Sequence, residues 1–139
     1  MSRPASFFVP GTPAAQPRVR MVRSNGHVYT PRSADAWKAA VRVAWRAQQQ
    51  EPLEGPVRLG LQFAMPRPAS HTTSRGAMTK SAPAAHICKP DIDNLAKAVM
   101  DALTDAGAWR DDCQIVELTI GKHYSHVPTG CTINMMEIQ

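Results

Sequence analysis

KPDIDNLAKAVMDALTDAGAWRDD, Lys89 to Asp112, decides how the chain is read. Leu95, Val99, Ala102, Leu103 and Ala106 recur in it at helical spacing, so a helix is expected from near Asp93 to near Gly107 with that stripe buried. Asp93 is the expected N-cap, because its carboxylate would sit beside free backbone N–H groups. The same stretch concentrates Asp91, Asp93, Asn94, Asp101, Asp105, Asp111 and Asp112 in a chain whose formal charge is +5. A basic protein that gathers its acids around one helix has a reason to do so.

Working outward, the segment after the helix, CQIVELTIGKHY, alternates so that Val116, Leu118 and Ile120 share one face of a strand, and CTINMMEI forms a last strand. Upstream, Val57, Leu59, Leu61, Phe63 and Met65 alternate with Arg58, Gly60, Gln62 and Ala64, the period of a strand with one buried face. Between that strand and Lys89, residues from about 66 to 88 lack periodicity and are rich in Pro, Ser, Thr and Ala; they are expected to form a mobile basic loop. Trp37, Ala40, Val41, Ala44 and Trp45 give an earlier helix, starting at the Thr30 cap and Pro31 and ending near Gln50. Before it, Asn25-Gly26 predicts a hairpin with a type I′ turn, and Ser6 to Val9 opens the chain as a strand. The order β-β-β-α-β-α-β-β implies an α+β fold, a mixed sheet with two helices packed on it.

At 139 residues the chain, 1–139, is expected to be a single domain. No apolar run approaches the roughly 20 residues of a membrane span, so no membrane partner is expected. MSRPASFFVPG lacks the apolar stretch of a signal peptide, and Cys88, Cys113 and Cys131 form no CxxC pair, which together favour reduced, structural thiols and a cytoplasmic setting. Arginines crowd the N-terminal third (Arg3, Arg18, Arg20, Arg23, Arg32, Arg42, Arg46), whereas the acids concentrate in the quoted stretch and beyond. Cations that hold phosphates around carboxylates that hold metal are what a metal nuclease requires.

Asp91 and Asp93 approach the helix start, and Asp112 opens the next strand, which is expected to run back beside the helix and bring its own start near them. Converging carboxylates repel by about 4 kcal/mol per pair at ~4 Å and an effective dielectric of ~20, so a cation must offset them. Oxygen ligands without His or Cys select a hard ion, Mg²⁺ with Mn²⁺ as substitute. Lys97, one turn beyond Asp93, is placed to contact a phosphate and steady its charge. Each residue also has an ordinary reading: Asp93 as a cap, Lys97 as a partner of Asp93 or Asp101, Asp111 and Asp112 as an exposed turn. Asn94 either orients an aspartate or assists capping. Asp101 and Asp105 read as surface charges, Trp109 as an apolar plug under the turn, and His27, His71 and His126 as surface or loop residues.

Lys89-Pro90-Asp91-Ile92-Asp93-Asn94-Leu95-Ala96-Lys97-Ala98, then Asp101-Ala102-Leu103, Gly107, Trp109 and Asp111-Asp112-Cys113-Gln114-Ile115-Val116, closely resembles the RusA family of Holliday junction resolvases. Looser similarity extends through Pro10-Gly11, Pro17-Arg18-Val19-Arg20, Tyr29-Thr30-Pro31, Trp37 and Gly55-Pro56-Val57. The resemblance implies a homodimeric, Mg²⁺-dependent endodeoxyribonuclease that resolves four-way DNA junctions by paired symmetric nicks in recombination and repair. It implies that Asp91, Asp93 and Asp112 are the catalytic, metal-binding aspartates, that Lys97 is the essential lysine, and that Asp111 is the neighbouring acid; Asp111 and Asn94 are the candidate supporting residues. Arg18, Arg20 and Arg23 of the hairpin, Arg67, Arg75 and Lys80 of the loop, and Lys89 are the candidate DNA contacts; ordinary solvated charge is the alternative.

Two other classes compete with this reading. One is a nuclease for other branched DNA, such as flaps; the other is a non-catalytic DNA-binding module whose acids serve folding. A metal oxygenase built on His86, Asp93 and His123 lacks a supporting pattern.

Overall fold

The computed structural model of the protein describes residues 4–125 and 128–139. Arg3 and His126 lie outside the described residues. Six strands and two helices follow in the expected order: β1 (Ala5–Pro10), β2 (Arg20–Met21), β3 (Val28–Tyr29), α1 (Asp35–Ala47), β4 (Val57–Pro66), α2 (Ile92–Asp105), β5 (Ile115–Ser125) and β6 (Gly130–Glu137). The main sheet has the order β1-β6-β4-β5, with β6 antiparallel to β1 and β4 and with β4 parallel to β5. It is therefore mixed, and α2 is the crossover of a β-α-β unit, as parallel neighbours require. β2 and β3 pair only with each other.

The core lies on one face of the sheet. Ala5, Phe7 and Val9 of β1, Val57 to Met65 of β4 at every second residue, and Cys131, Ile133 and Met135 of β6 are buried there. α1 meets them with Trp37, Val41 and Trp45, and α2 with Leu95, Val99, Ala102 and Leu103. The period-two and period-3.6 stripes read from sequence thus face one another. Gly107 ends α2 at φ 84, and Ala108 N–H to Leu103 O (2.9 Å) with Gly107 N–H to Thr104 O (3.0 Å) closes it in the Schellman arrangement. Trp109 is the expected plug: its ring is buried and its Nε1–H donates to Thr104 Oγ1 at 2.7 Å. Among the described residues no helix is long and apolar enough to cross a membrane.

Several local expectations are corrected. α1 starts at Asp35, not at Thr30-Pro31, because residues 32–34 turn first: Asp35 N–H bonds to Arg32 O (3.1 Å), and the Asp35 carboxylate accepts from Arg32 Nε (2.8 Å). It ends at Ala47, since Gln49 takes φ 52. The hairpin turn is not type I′. Only Gly26 is left-handed (φ 70), while the Asn25 side chain accepts from His27 N–H at 2.8 Å and Gly26 N–H reaches back to Val22 O. Opposite Val57 and Arg58 of β4 the register of β5 shifts, pairing Val57 with Ile115 and Arg58 with Glu117, so Val116 leaves the face shared by Leu118 and Ile120. Val116 is exposed and Leu118 remains partly so, because β5 is the sheet's edge.

The segment from Arg67 to Cys88 is a loop with local order. A 3₁₀ turn spans Ala69–His71, and Thr72 bridges Met78. Arg67 lies over the Tyr124 ring, 4.6 Å from its centroid, and donates to Pro83 O at 3.0 Å. His71 and His86 pack on the same tyrosine at 5.1 and 4.9 Å between ring centroids. These contacts tie the loop to the end of β5, and His71 is consequently half-buried rather than a surface residue. Only Cys131 among the three free thiols is buried, and burial pushes its pKa up to about 12; Cys88 and Cys113 are exposed.

Candidate active site

The N-cap of α2 lies two residues earlier than its sequence suggests. Asp91, in extended conformation, is the N-cap, and its carbonyl accepts the first helical bond from Leu95 N–H (3.0 Å). Its carboxylate does not cap, because both oxygens accept from Lys89 Nζ at 2.8 Å. That bond, helped by Lys122 and Arg18 nearby, holds the carboxyl below the usual carboxylate range. Asp93 and Asn94 fall in the first turn of the helix; Asp93 is exposed and Asn94 is half-buried. Asn94 O accepts from Gln16 N–H at 3.0 Å, which fastens the chain before β2 to this helix end.

Asp93, Lys97 and Asp101 stand at i, i+4 and i+8 along one face of α2, the first two exposed and Asp101 half-buried. Lys97 Nζ lies 3.4 Å from Asp101 Oδ1. The 111–114 turn comes up against this line. Asp111 caps it, accepting from Cys113 N–H at 2.9 Å, and that bond lowers its carboxyl pKa. Gln114 clamps it, accepting from Arg110 and Asp111 N–H groups and donating to Leu53 O and Gly55 O. Asp112 is thereby held half-buried beside Asp111, Lys97 and Asp101. Desolvation and the Asp111 carboxylate push its pKa up; Lys97 opposes them. A cleft of about 370 Å³ opens here, lined by Lys38, Asp101, Thr104, Asp105, Asp111 and Asp112.

One expectation fails in its geometry. β5 follows α2 through a short reversal and runs antiparallel to it, so the start of β5 lies beside the C-terminal half of the helix. It is the other end of β5 that reaches Asp91: Lys122 Nζ donates to Cys88 O (2.8 Å) and Pro90 O (2.9 Å). Asp91 and Asp112 therefore belong to two charge groups. Among the described residues no three His, Cys, Asp or Glu side chains are grouped closely enough to hold an ion. His86, packed on Tyr124, and His123, exposed on β5, form no ligand set with Asp93.

The donor chemistry nevertheless suits a hard cation. The acids are oxygen donors only, and Asp112, its pKa raised first by burial and then by the Asp111 carboxylate, has that second acid directly beside it. Asp91 is different, since an ammonium already occupies it. Asp101 is the residue that sequence reasoning underrated: its i+4 relation to Lys97 was visible, but its place facing Asp112 depends on the Gln114 clamp. Lys38, also missed, reaches the site by tertiary packing alone; its Nζ donates to Gln16 Oε1 at 3.0 Å.

The candidate DNA contacts divide by environment. Arg18, Arg20, Arg23, Arg75 and Lys80 are exposed, whereas Arg67 is engaged with Tyr124 and Lys89 with Asp91.

Residues 10–136 match the model of the family described as endodeoxyribonuclease RusA. The chain is 35% identical over 127 residues to the uncharacterized protein YqaN of Bacillus subtilis strain 168, covering 88% of this chain and 89% of that one. It is 56% identical over 32 residues to the crossover junction endodeoxyribonuclease RusA of Escherichia coli K12, 23% of this chain and 27% of that protein. A second enzyme of that name, from Escherichia coli O139:H28, is 51% identical over 35 residues, 25% and 29% of the two chains. The matched stretch thus spans about a quarter of the Escherichia coli enzymes. On the match across residues 10–136, the chain belongs to the RusA family of endodeoxyribonucleases.

Proposed function

We propose that this chain is a divalent-metal-dependent endonuclease of branched DNA, acting on four-way junctions by paired symmetric nicks as a homodimer. The observation that carries the reading is the series Asp93, Lys97 and Asp101 along α2, with Asp112 held beside Lys97 and Asp101, in a chain of formal net charge +5. Asp91 and Asp93 at the start of α2, with Asn94 beside them, would hold Mg²⁺ or Mn²⁺, and Asp112, supported by Asp111, would complete the ligand set by moving toward them from its place beside Lys97 and Asp101. When bound, the ion activates water and offsets charge on the phosphate.

The chain's own residues do the rest. Lys97, released from Asp101, contacts a non-bridging phosphate oxygen and steadies the negative charge that grows during in-line displacement. Asp91 would bind the ion on giving up the Lys89 ammonium, which would leave Lys89 for a neighbouring phosphate. Asp111 holds the turn and keeps the Asp112 carboxylate aimed at the helix. A four-way junction has approximate two-fold symmetry, and a C2 dimer places identical sites on opposing strands. Localisation in the cytoplasm and a role in recombination and repair accord with such an activity.

The test compares labelled four-way junction, flap and linear duplex in Mg²⁺, using the wild-type protein and Asp93→Asn. Selective cutting of the junction, abolished in Asp93→Asn with binding retained or tightened, is the expected result. Preferential flap cutting would move the substrate to other branched DNA. Salt-sensitive binding without any cutting would indicate a non-catalytic module.

A further inference from the structure

The ribbon of β2 and β3 exposes apolar side chains that the core never uses. Val19 and Met21 are each 63% exposed, Val28 57% and Tyr29 43%. The ribbon adds no strand to the main sheet, and a two-stranded ribbon alone is marginal in water. Its register sets Arg20 opposite Tyr29 and Met21 opposite Val28, so one face pairs a cation with an aromatic ring and the other is apolar. Residues 16–31 contain Arg18, Arg20 and Arg23 and no acid. Among the described residues, neither Arg20 nor Arg23 forms an ion pair.

The ribbon's root is equally informative. Gln16 N–H is bonded to Asn94 O, Lys38 holds the Gln16 side chain, and Arg18 lies within electrostatic range of Asp91. The ribbon therefore rises from the end of α2 that carries Asp91 and Asp93. Whatever covers it lies beside the candidate cutting centre.

Charge selects the occupant. A second copy of this ribbon would set three arginines against three, whereas nucleic acid offers phosphates for the arginines and π-faces for Tyr29. We infer that the ribbon is an insertion element for the branch point: Arg18, Arg20 and Arg23 hold flanking phosphates, Tyr29 stacks on an unpaired base, and Met21 and Val28 fill the space between parted base pairs. Apolar wedges with basic flanks open base steps in this manner elsewhere. The inference rests on the reading that this chain acts on branched DNA.

The experiment uses the full chain and a four-way junction carrying 2-aminopurine at the branch point, in chelator so that nothing is cut. The wild-type protein should raise the probe's fluorescence several-fold, and a probe placed inside an arm should stay dim. The double variant Met21→Ser/Tyr29→Ser keeps all three arginines, so junction binding should stay within about threefold while the fluorescence rise disappears. In binding, the lost stack is offset by the unstacking that is no longer required, so the roughly tenfold value of one stacked base is read in cutting. Cutting of the intact junction in Mg²⁺ should fall by that factor, and a junction with mismatched bases at the branch point should restore it. Both substituted residues are exposed, and a thermal midpoint unchanged from wild type confirms folding; Tyr29→Ser alone serves as the milder variant. An unchanged fluorescence rise in the variant, or equal loss on intact and mismatched junctions, overturns the insertion role while leaving the nuclease reading intact. A wild-type protein that neither binds nor cuts branched DNA overturns both.

Discussion

Replacing Gln114 with alanine tests whether the turn that carries Asp111 and Asp112 is held by its clamp. One side chain makes four hydrogen bonds: Oε1 accepts from Arg110 N–H at 2.8 Å and Asp111 N–H at 3.2 Å, and Nε2 donates to Leu53 O at 2.9 Å and Gly55 O at 3.1 Å. A protein hydrogen bond contributes about 0.5–1.5 kcal/mol net. The two N–H groups belong to exposed residues, so water replaces Oε1 and those bonds fall at the low end. Leu53 is buried and its carbonyl loses its partner, which puts that bond at the high end. The total is about 3 kcal/mol, and for a domain of this size it lowers Tm by roughly 10 °C. Gln114→Met keeps the length of the side chain but none of its bonds, so it should lose nearly as much. Denaturant unfolding with linear extrapolation measures the loss, and junction cutting well below the variant's Tm measures the effect on Asp112. A Gln114→Ala protein within about 0.5 kcal/mol of wild type, cutting at the wild-type rate, would refute the clamp.

Three further outcomes are expected. Asp112→Asn should abolish cutting and retain junction binding, read by gel shift beside a cleavage assay; wild-type turnover would remove Asp112 from the site. Trp109→Phe should cost about 1–3 kcal/mol, since it loses the bond to Thr104 Oγ1 and leaves space in the core, and Thr104→Val should cost a similar amount by orphaning the buried indole N–H. A double-mutant cycle with clearly additive costs would contradict that pairing. His86 is buried between Cys88 and Tyr124, and burial together with Lys122 lowers its pKa from 6.5. The unfolded chain then binds a proton that the folded one refuses, so this contribution to stability is complete above pH 6.5 and is lost as pH falls through the folded value. His86→Gln should flatten Tm against pH in that window, and an unchanged slope would exclude His86 as its source.

Where local pattern decides, the fold was legible. The stripe of Leu95, Val99, Ala102 and Leu103 and the alternation from Val57 to Met65 each name the face they bury, and facing stripes make one core. Misreadings arose where another partner competes for a group. Lys89 takes the Asp91 carboxylate away from capping, an Asx turn satisfies Asn25, and the Arg32–Asp35 pair delays α1. Val116 was misplaced because a one-residue register shift reverses side-chain faces without a trace in the hydrophobic pattern. The acids themselves were identifiable as residues, but their arrangement was not. Strand direction brings Lys122 rather than Asp112 to Asp91, and Asp101 faces Asp112 only because Gln114 reaches across to Leu53 and Gly55. Likewise the loop's attachment through Arg67, His71 and His86 to Tyr124 is long-range packing that composition cannot encode.

The central claim is that these carboxylates break DNA strands with the help of a divalent ion. Its most direct test is a time course on an end-labelled four-way junction with purified protein, in Mg²⁺ and in excess chelator. Nicks at symmetric positions on opposing strands are expected in Mg²⁺, and intact junction in chelator. Uncut junction in both Mg²⁺ and Mn²⁺, or equal cutting in chelator, would contradict it.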